Sequence, residues 1–401
     1  MARKILILAG DITGNIGDMG IAQSTFEKLT SQIDDAQITF VADGDIAKTI
    51  FPDAAIIPRG VHGMGALIAA AMTSDWVVCG GGGLFQDDDS LVKMPYWGLR
   101  LFLLKMLGAE VVGYCLGVGP LNHTVSRFFG KLAFACMTVI TVRDPIAYQV
   151  AKGLTRRTVW IVPDPALALR PAPSEDAEKL LRHHGVPRDG SPLIGVAVRK
   201  WFHKRGSLIP HKIAFRLGLR GTDSRGKLDK MTDLLAEVLD KLAFTNGTHI
   251  LFLPTYNVDH EGDDRVCEEI SRKMRSDRKS LMRVSQPRLY KAVTGKLSVM
   301  LGARMHPTIF AAGMGTPVVG LAYNPKFNGF FQLIGCSNQL LQLEDFVEKE
   351  MTAELLALLK NSLRTPETSI PPAVSGLIER YHQFNAALSS LPQTPLPVSA
   401  V

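Results

Sequence analysis

The sequence predicts an α/β protein made of two successive doubly wound domains, and three observations support this prediction. Short apolar runs that end in glycine or a polar residue alternate with amphipathic segments of helical period. The alternation stops at a polar, proline-rich stretch over residues 171–192 and then begins again. The length of 401 residues is sufficient for two domains of ordinary size.

The first domain is predicted to cover residues 1–170. Its opening run at 4–10 is continuously apolar, as expected for a strand buried inside a parallel sheet. A helix over 19–33 follows, because apolar residues recur there on one face at helical spacing. The later elements continue this order: strands at 37–43, 76–82, 110–119, 138–144 and 158–164, with helices near 95–107, 124–136 and 145–152.

The second domain is predicted to cover residues 193–345, after the linker at 171–192. Strands are predicted at 193–199, 248–256, 297–303 and 316–323, with helices at 228–243 and 261–275. C-terminal helices are expected within 346–390, and the proline-rich end at 391–401 is expected to be disordered. Two Rossmann-like domains that face each other across a cleft form a GT-B-like architecture. Ligands then bind at the carboxyl ends of the strands.

Composition excludes several classes of protein. Hydrophobic residues are 46% and charged residues 21% of the chain, which is the balance of a globular protein rather than a disordered or fibrous one. Because no segment reaches 18 uncharged apolar residues, no membrane-spanning helix is expected. The five cysteines form no CxxC pair, so the sequence predicts a reducing cytoplasmic environment and no structural zinc.

The net charge is 45 − 38 = +7, and the excess is concentrated in a basic segment at 200–227. Apolar residues alternate with the cations of this segment, which favours peripheral contact with an anionic membrane over binding to nucleic acid. The alternative interpretation is a solvated loop. The cations of the segment and of the strand end before it are Arg199, Lys200, Lys204, Arg205, Lys212, Arg216, Arg220, Arg225 and Lys227.

Two polar residues follow the first predicted strand in a glycine-rich turn. Asn15 and Asp18 stand there, just before a helix, where the helix N-terminus favours polar or anionic ligands. We expect both side chains to bind a substrate. The competing interpretation is a tight turn in which Asp18 only caps the helix.

A run of four glycines follows the strand at 76–82 and includes Gly82 and Gly83. Such a run predicts a loop that a ligand can approach closely. The acidic residues after it, among them Asp88, could hold sugar hydroxyls or a divalent metal. Consecutive side chains point in different directions, so we expect no metal site. Arg143 ends a later strand at the same predicted edge.

The second domain carries the most specific pattern of candidate residues. Arg199 and Arg304 end two predicted strands, Met305 and His306 begin the next helix, and Lys326 follows the strand at 316–323. Arginine suits a carboxylate or a phosphate, and histidine can transfer protons near neutral pH. We therefore expect an anionic ligand beside a proton-transfer group.

These motifs resemble the polysaccharide pyruvyl transferase family over roughly residues 8–335. The sequence departs from the family pattern at Pro307, where alanine is common, and in the basic segment after Arg199. The resemblance depends on Asn15-Ile16-Gly17-Asp18, GGGLFQDD (81–88), GVGP (117–120), VRDP (142–145), DPAL (164–167) and RMHPTIFAAGMGTPVVGLAYNPK (304–326).

The resemblance implies a GT-B-like fold and the transfer of pyruvate from phosphoenolpyruvate onto two sugar hydroxyls, giving a ketal in a cell-surface polysaccharide. The donor would bind in the C-terminal domain, and no cofactor or metal is implied. Donor binding is assigned to Arg199, Arg304, Met305 and Lys326, proton transfer to His306, and acceptor binding to Asn15, Asp18, Gly82, Gly83, Asp88 and Arg143.

Two other functions remain open from the sequence. One is a GT-B glycosyltransferase that uses a nucleotide sugar, although we find no acidic residue late in the second domain that is placed to hold a ribose. The other is a non-catalytic protein of polysaccharide assembly that binds a sugar or a phosphate. The sequence also leaves open the acceptor sugar, its attachment to a lipid, and the formation of a homo-oligomer.

Overall fold

The fold consists of two parallel β-sheets with helices on both faces of each sheet. This arrangement confirms the predicted α/β class with two Rossmann-like domains. Most of the basic segment, 201–222, and the tail at 391–401 lie outside the described residues. A computed structural model describes residues 3–42, 44–88, 90–187, 189–200, 223–256, 262–366 and 371–389.

The first sheet has seven parallel strands in the order β3-β2-β1-β4-β5-β6-β7. Its strands are β1 (Lys4–Leu8), β2 (Gln37–Val41), β3 (Ala55–Ile57), β4 (Trp76–Gly80), β5 (Glu110–Leu116), β6 (Met137–Val142) and β7 (Trp160–Ile161). The helices of this half are α1 (Ile16–Gln32), α2 (Gly44–Ile50), α3 (Met64–Thr73), α4 (Lys93–Met106), α5 (Thr124–Cys136), α6 (Pro145–Lys152), α7 (Pro165–Ala168) and α8 (Ser174–His183).

The second sheet has six parallel strands in the order β10-β9-β8-β11-β12-β13. Its strands are β8 (Leu193–Ala197), β9 (His249–Phe252), β10 (Lys279–Leu281), β11 (Val299–Gly302), β12 (Val318–Ala322) and β13 (Leu340–Gln342). The helices of this half are α9 (Asp223–Asn246), α10 (Asp263–Lys273), α11 (Pro287–Thr294), α12 (Met305–Gly313), α13 (Pro325–Leu333), α14 (Leu343–Glu348), α15 (Thr352–Arg364) and α16 (Val374–Ser389).

Both faces of the central strands are buried, as their continuous apolar sequences require. In β1, Ile5 and Ile7 pack into one hydrophobic cluster, whereas Leu6 and Leu8 pack into the cluster on the opposite face. This follows from the alternation of side chains along a strand.

Each sheet has one point at which the strand order reverses. In the first sheet this point lies between β1 and β4, and in the second it lies between β8 and β11. In open parallel sheets, the loops at the carboxyl ends of such strands form the ligand-binding crevice. The loops that follow these four strands carry most of the candidate residues predicted from the sequence.

The last helix, α16, packs on the first half of the molecule through a buried polar contact. The Tyr114 hydroxyl donates to Asn385 Oδ1 at 2.7 Å, and its oxygen lies 3.0 Å from the Tyr381 hydroxyl oxygen. The Asn385 amide donates to the backbone oxygen of Tyr381 at 2.7 Å. All three side chains are buried, so these hydrogen bonds fix the position of the C-terminal helix.

The sequence did not predict the short edge strands β3, β10 and β13. Each has only three residues, and each is partly exposed, so none shows a long apolar run. Within the described ranges, no helix combines the length and the hydropathy needed to cross a bilayer.

We predict that Asn385→Ala lowers the free energy of unfolding by about 1–3 kcal/mol, because the buried Tyr114 hydroxyl loses an acceptor. Gln383→Ala on the same helix is the matched control. Its amide contacts Glu379 at an exposed site, so the change should stay within about 0.5 kcal/mol. Urea denaturation of both variants measures the difference, and equal losses would contradict the proposed anchoring role.

Candidate active site

A cavity of about 490 Å³ lies between the two points where the strand orders reverse, with walls from both halves of the chain. The volume is typical of a small-molecule site. Gly82 does not line the cavity but packs directly behind one of the residues that do. The sequence-predicted residues that line it are Asn15, Asp18, Gly83, Asp88, Arg143, Arg199, Arg304, Met305, His306 and Lys326.

Asp18 lies between two glycines of the first wall. Its Oδ2 accepts a hydrogen bond from the backbone N–H of Asp11 at 3.1 Å. A Cβ atom at Gly10 or at Gly82 would lie 2.7 Å from an Asp18 oxygen, so neither position has room for a side chain. Gly82 also has a φ of +70°, which favours glycine. The glycines therefore allow the loops after β1 and β4 to enclose the carboxylate.

The N-cap of α1 is Asn15, whose Oδ1 accepts from the Gly17 N–H at 2.9 Å. The capping role considered for Asp18 therefore belongs to Asn15, and Asp18 is in the first turn of the helix with its carboxylate in the cavity.

His306 begins α12 in the second half and packs against α1 of the first half. A Cβ atom at Gly17 would lie 1.9 Å from His306 Nδ1, so only glycine fits at this contact. The other ring nitrogen, Nε2, is buried and has no hydrogen-bond partner among the described residues. A buried polar atom without a partner at a cavity wall is typical of a group that contacts a ligand.

Burial and nearby carboxylates have opposite effects on His306. Burial lowers the pKa of His306, and the charges of Asp164 and Asp18 partly oppose that effect. Burial also raises the pKa of Asp18, and the nearby His306 partly offsets the rise. In the ligand-free protein, the imidazole is therefore mainly neutral at pH 7, and its protonation depends on the charges that surround it.

Arg304 is held by a carboxylate that the sequence analysis missed. Its Nε lies 2.8 Å from Asp263 Oδ2 and its Nη2 lies 2.5 Å from Oδ1, in a two-pronged ion pair. Asp263 is buried and also accepts from the Thr255 hydroxyl at 3.0 Å. The pairing fixes the plane of the guanidinium at the cavity wall. In the sequence, the only sign of Asp263 is that it belongs to an acidic pair, Asp263-Asp264, near the start of the helix predicted at 261–275.

Arg199 and Lys326 line the same wall as Arg304. Arg199 Nη1 donates to the Tyr323 hydroxyl at 3.1 Å. Lys326 is in the first turn of α13, and its backbone N–H is capped by Asn324. A Cβ atom at Gly83 would lie 2.2 Å from Lys326 Nζ, so the lysine reaches the glycine loop across the cleft.

Arg143 pairs with an acidic residue at the connection between the two halves. Its Nη1 lies 2.8 Å from Asp164 Oδ2, and both side chains are almost fully buried. Asp164 is also the N-cap of α7, where it accepts from the Ala166 N–H at 3.0 Å. Arg143 Nη2 lies 4.0 Å from the sulfur of Met305. Arg143 therefore joins the end of β6 to the start of α7 and contacts the opposite wall.

Asp87 has a structural role within the acidic run that follows the glycines. Its carboxylate accepts from the backbone N–H groups of Asn122 at 2.8 Å and of His123 at 2.9 Å. Asp87 therefore fixes the loop after β5, while its neighbour Asp88 lines the cavity. Other lining residues that the sequence analysis missed are Asp11, Arg59, Gln86, Lys93, Tyr96, Trp97, Arg100, Thr255, Tyr256, Tyr323 and Asn324.

A sequence profile of the family described as polysaccharide pyruvyl transferase matches residues 15–325. The chain belongs to the polysaccharide pyruvyl transferase family. The matched range holds every predicted site residue except Lys326, which immediately follows it. A comparison with curated proteins gives no match.

Several solved structures share the fold of this pyruvyl transferase family member. A putative UDP-N-acetylglucosamine 2-epimerase from Listeria monocytogenes has a TM-score of 0.60 at 14% identity, over 100% of this chain and 99% of that chain. The UDP-GlcNAc 2-epimerase from Methanocaldococcus jannaschii has a TM-score of 0.57 at 12% identity, and the match covers 90% of this chain and 93% of that chain. A glycosyltransferase from Rickettsia africae has a TM-score of 0.53 at 12% identity, and the match covers 97% of this chain and 99% of that chain. These likenesses confirm the GT-B-like arrangement.

The charges of this pyruvyl transferase family member are distributed unequally between the two walls. Among the described lining residues, all three carboxylates, those of Asp11, Asp18 and Asp88, come from the first half. The second half provides Arg199, Arg304 and Lys326 and no carboxylate. The first half also provides the cations Arg59, Lys93, Arg100 and Arg143. The second wall carries no carboxylate among the described lining residues and therefore suits an anionic ligand, and the carboxylates of the first wall can accept hydrogen bonds from hydroxyl groups.

We predict that His306 titrates below its ordinary pKa of 6.5 in the ligand-free protein. Asp18→Asn should lower the pKa further, because it removes a negative charge that stabilises the imidazolium. Asp176→Asn, at an exposed site on α8, is the matched control and should leave the value unchanged. Imidazole NMR titration checks both shifts. A higher pKa of His306 in Asp18→Asn would show that the electrostatic account is wrong.

Proposed function

We propose that the protein transfers the pyruvyl unit of phosphoenolpyruvate onto two hydroxyls of a sugar, forming a pyruvate ketal and releasing phosphate. The observation that carries the proposal is the position of His306. Within the part of the chain that the structure describes, its buried Nε2 has no hydrogen-bond partner, and His306 belongs to the cavity wall that also contains Arg199, Arg304 and Lys326. No metal or cofactor takes part in the proposed reaction.

The donor binds against the wall formed by the second half of the chain. Phosphoenolpyruvate carries a carboxylate and a phosphate close together, and Arg199, Arg304 and Lys326 supply three positive charges for them. Asp263 already holds Arg304 in one orientation, so binding loses little of the conformational entropy of that side chain. Met305 lines the same wall beside the donor.

The proposed reaction begins with the transfer of a proton from the His306 imidazolium to the methylene carbon of the donor. The C=C electron pair forms the new C–H bond, and C2 becomes cationic. A sugar hydroxyl attacks C2 and returns its proton to His306. The C–O bond to phosphate then breaks, and the second hydroxyl attacks C2 and transfers its proton to the departing phosphate. The products are the ketal and inorganic phosphate.

The electrostatics of the cavity connect donor binding to this proton transfer. Burial lowers the pKa of His306, so the imidazole starts mainly neutral. The negative charges of bound phosphoenolpyruvate stabilise the imidazolium, and Asp18 adds to this effect. His306 therefore takes up a proton as the donor binds and becomes an acid in the complex.

The acceptor binds against the wall formed by the first half. Asp18 and Asp88 accept hydrogen bonds from sugar hydroxyls, and Asn15 and Gly83 line the same region. Gly82 leaves space for Asp18, and Arg143 fixes the adjoining segment through Asp164. Lys326 reaches Gly83, so the donor and acceptor regions meet there.

The described residues disfavour the alternative of a nucleotide-sugar glycosyltransferase. Among them, the second half contributes no carboxylate to the cavity that could hold a ribose. Glu344, the late acidic residue considered in the sequence, is exposed on α14 and does not line the cavity. A donor with two compact anionic groups fits this wall better than a nucleoside does.

We expect phosphoenolpyruvate at 100 times its Kd to stabilise the protein by about 2.7 kcal/mol, whereas uridine and guanosine diphosphate sugars should not. Thermal melts with each compound measure the effect, and Arg199→Ala should reduce the response to phosphoenolpyruvate. Stabilisation by a nucleotide sugar that equals or exceeds that of phosphoenolpyruvate would favour the glycosyltransferase alternative.

We expect His306→Ala to lose about two to four orders of magnitude in turnover while its Kd for phosphoenolpyruvate changes little. Arg199→Ala should instead weaken donor binding by about 1.5–3 kcal/mol, since it removes a charged hydrogen-bond donor. Phosphate release with pyranosides that carry pairs of free hydroxyls, together with the donor Kd, separates the two effects.

Arg304 is a poor choice for this comparison, because its removal leaves the buried carboxylate of Asp263 without its partner and destabilises the fold. A stable His306→Ala variant with near-normal turnover would remove His306 from the mechanism. If the unmodified protein binds the donor but releases no phosphate with any acceptor tested, the non-catalytic alternative is favoured.

A further inference from the structure

The exposed apolar residues of the chain are concentrated on one side of the first half. Among the described residues, twelve large apolar side chains are strongly exposed, and eleven of them lie between residues 61 and 128. The twelfth is Phe244. We call the surface formed by the eleven the α3–α5 face: Val61, Met64, Met72, Val92, Tyr96, Leu99, Phe102, Leu103, Met106, Val125 and Phe128.

Helix α4 shows that this exposure is systematic. Its inner side, with Met94, Trp97, Leu101 and Leu104, is buried against the first sheet. Its outer side is apolar as well, and Leu99, Leu103 and Met106 recur there at spacings of four and three residues. Leu99 is 55% exposed and Met106 is 70% exposed. Apolar residues on the outer side of a helix as well as on its inner side are normally covered, so a covering surface is missing here.

The three helices of the face share one core and carry charge of only one sign. Leu67 of α3, Leu101 of α4 and Phe134 of α5 belong to the same hydrophobic cluster, so the helices lie on the same side of the sheet. The ranges of α3, α4 and α5 contain five cations and no acidic residue. Lys105, Arg127 and Lys131 are exposed, whereas Lys93 and Arg100 are partly buried and line the cavity.

The same face adjoins the candidate active site. Lys93, Tyr96, Trp97 and Arg100 of α4 line the cavity, while Leu99 on the same helix faces outward. The cavity wall formed by α4 belongs to the half that we assign to the acceptor. A surface that covers the α3–α5 face would therefore be close to the cavity.

We propose that the α3–α5 face docks on an anionic lipid bilayer. Apolar side chains beside lysine and arginine are the combination that binds the interface of an acidic membrane. A second copy of the chain fits less well, because a twofold contact would set the cations of one copy against those of the other.

Sedimentation with vesicles tests the docking step on the full chain without any donor. We expect binding to vesicles of phosphatidylglycerol and phosphatidylcholine, weak binding to phosphatidylcholine alone, and release as salt rises. The triple variant Leu99→Gln, Leu103→Gln and Met106→Gln should bind at least tenfold more weakly. Phe244→Gln is the matched control, since Phe244 is 65% exposed on α9, outside the face, and should change nothing.

A second pair of variants tests the charges. Lys105→Glu with Lys131→Glu should weaken binding to the acidic vesicles by at least fivefold for each cation removed. Lys179→Glu, an exposed change on α8, should not. Unchanged binding in both the apolar and the charge variants would overturn the proposal. So would a lipid-free wild-type dimer in analytical ultracentrifugation that the triple variant converts to a monomer, since the face would then join two copies.

Discussion

The contact between Gly17 and His306 is the constraint on which the candidate site depends. By sequence α1 belongs to the first half, yet its Ile16 and Ile21 pack into the core of the second, and Gly20 packs against Phe310. The absence of a side chain at Gly17 lets the imidazole lie against the start of α1. The orientation of His306 is therefore set by both halves, and the cavity exists only when they are packed together.

The buried acidic residues around the cavity mainly orient cations. Asp263 holds Arg304 and Asp164 holds Arg143, each in a buried ion pair. Such pairs add little net stability, because removing two charges from water is costly, but each side chain is left with one favourable orientation. Asp18 is different, since its described hydrogen bond comes from a backbone N–H and the titratable neighbour that most lowers its pKa is His306.

The sequence was informative where local pattern determines structure and uninformative where tertiary contacts do. The central strands β1, β4, β8 and β11 are continuous apolar runs, so their ends and the residues after them could be predicted. The edge strand β3 has three residues and no such run. The partner of Arg304 is 41 positions away in the chain, and no spacing rule connects the two residues. The role of Asn15 as N-cap became clear only when the helix start was known.

The two proposals together explain why the halves of the molecule differ so strongly. A donor dissolved in water needs a wall of fixed positive charge, and the second half supplies one without carboxylates among its described lining residues. A sugar acceptor needs groups that bind hydroxyls, and the first half supplies three lining carboxylates together with four lining cations. The same half carries the exposed α3–α5 face, which can approach lipid. Helix α4 contributes to both the cavity wall and that face. Docking would therefore place the bilayer about 10 Å from the cavity, which is the width of a single helix.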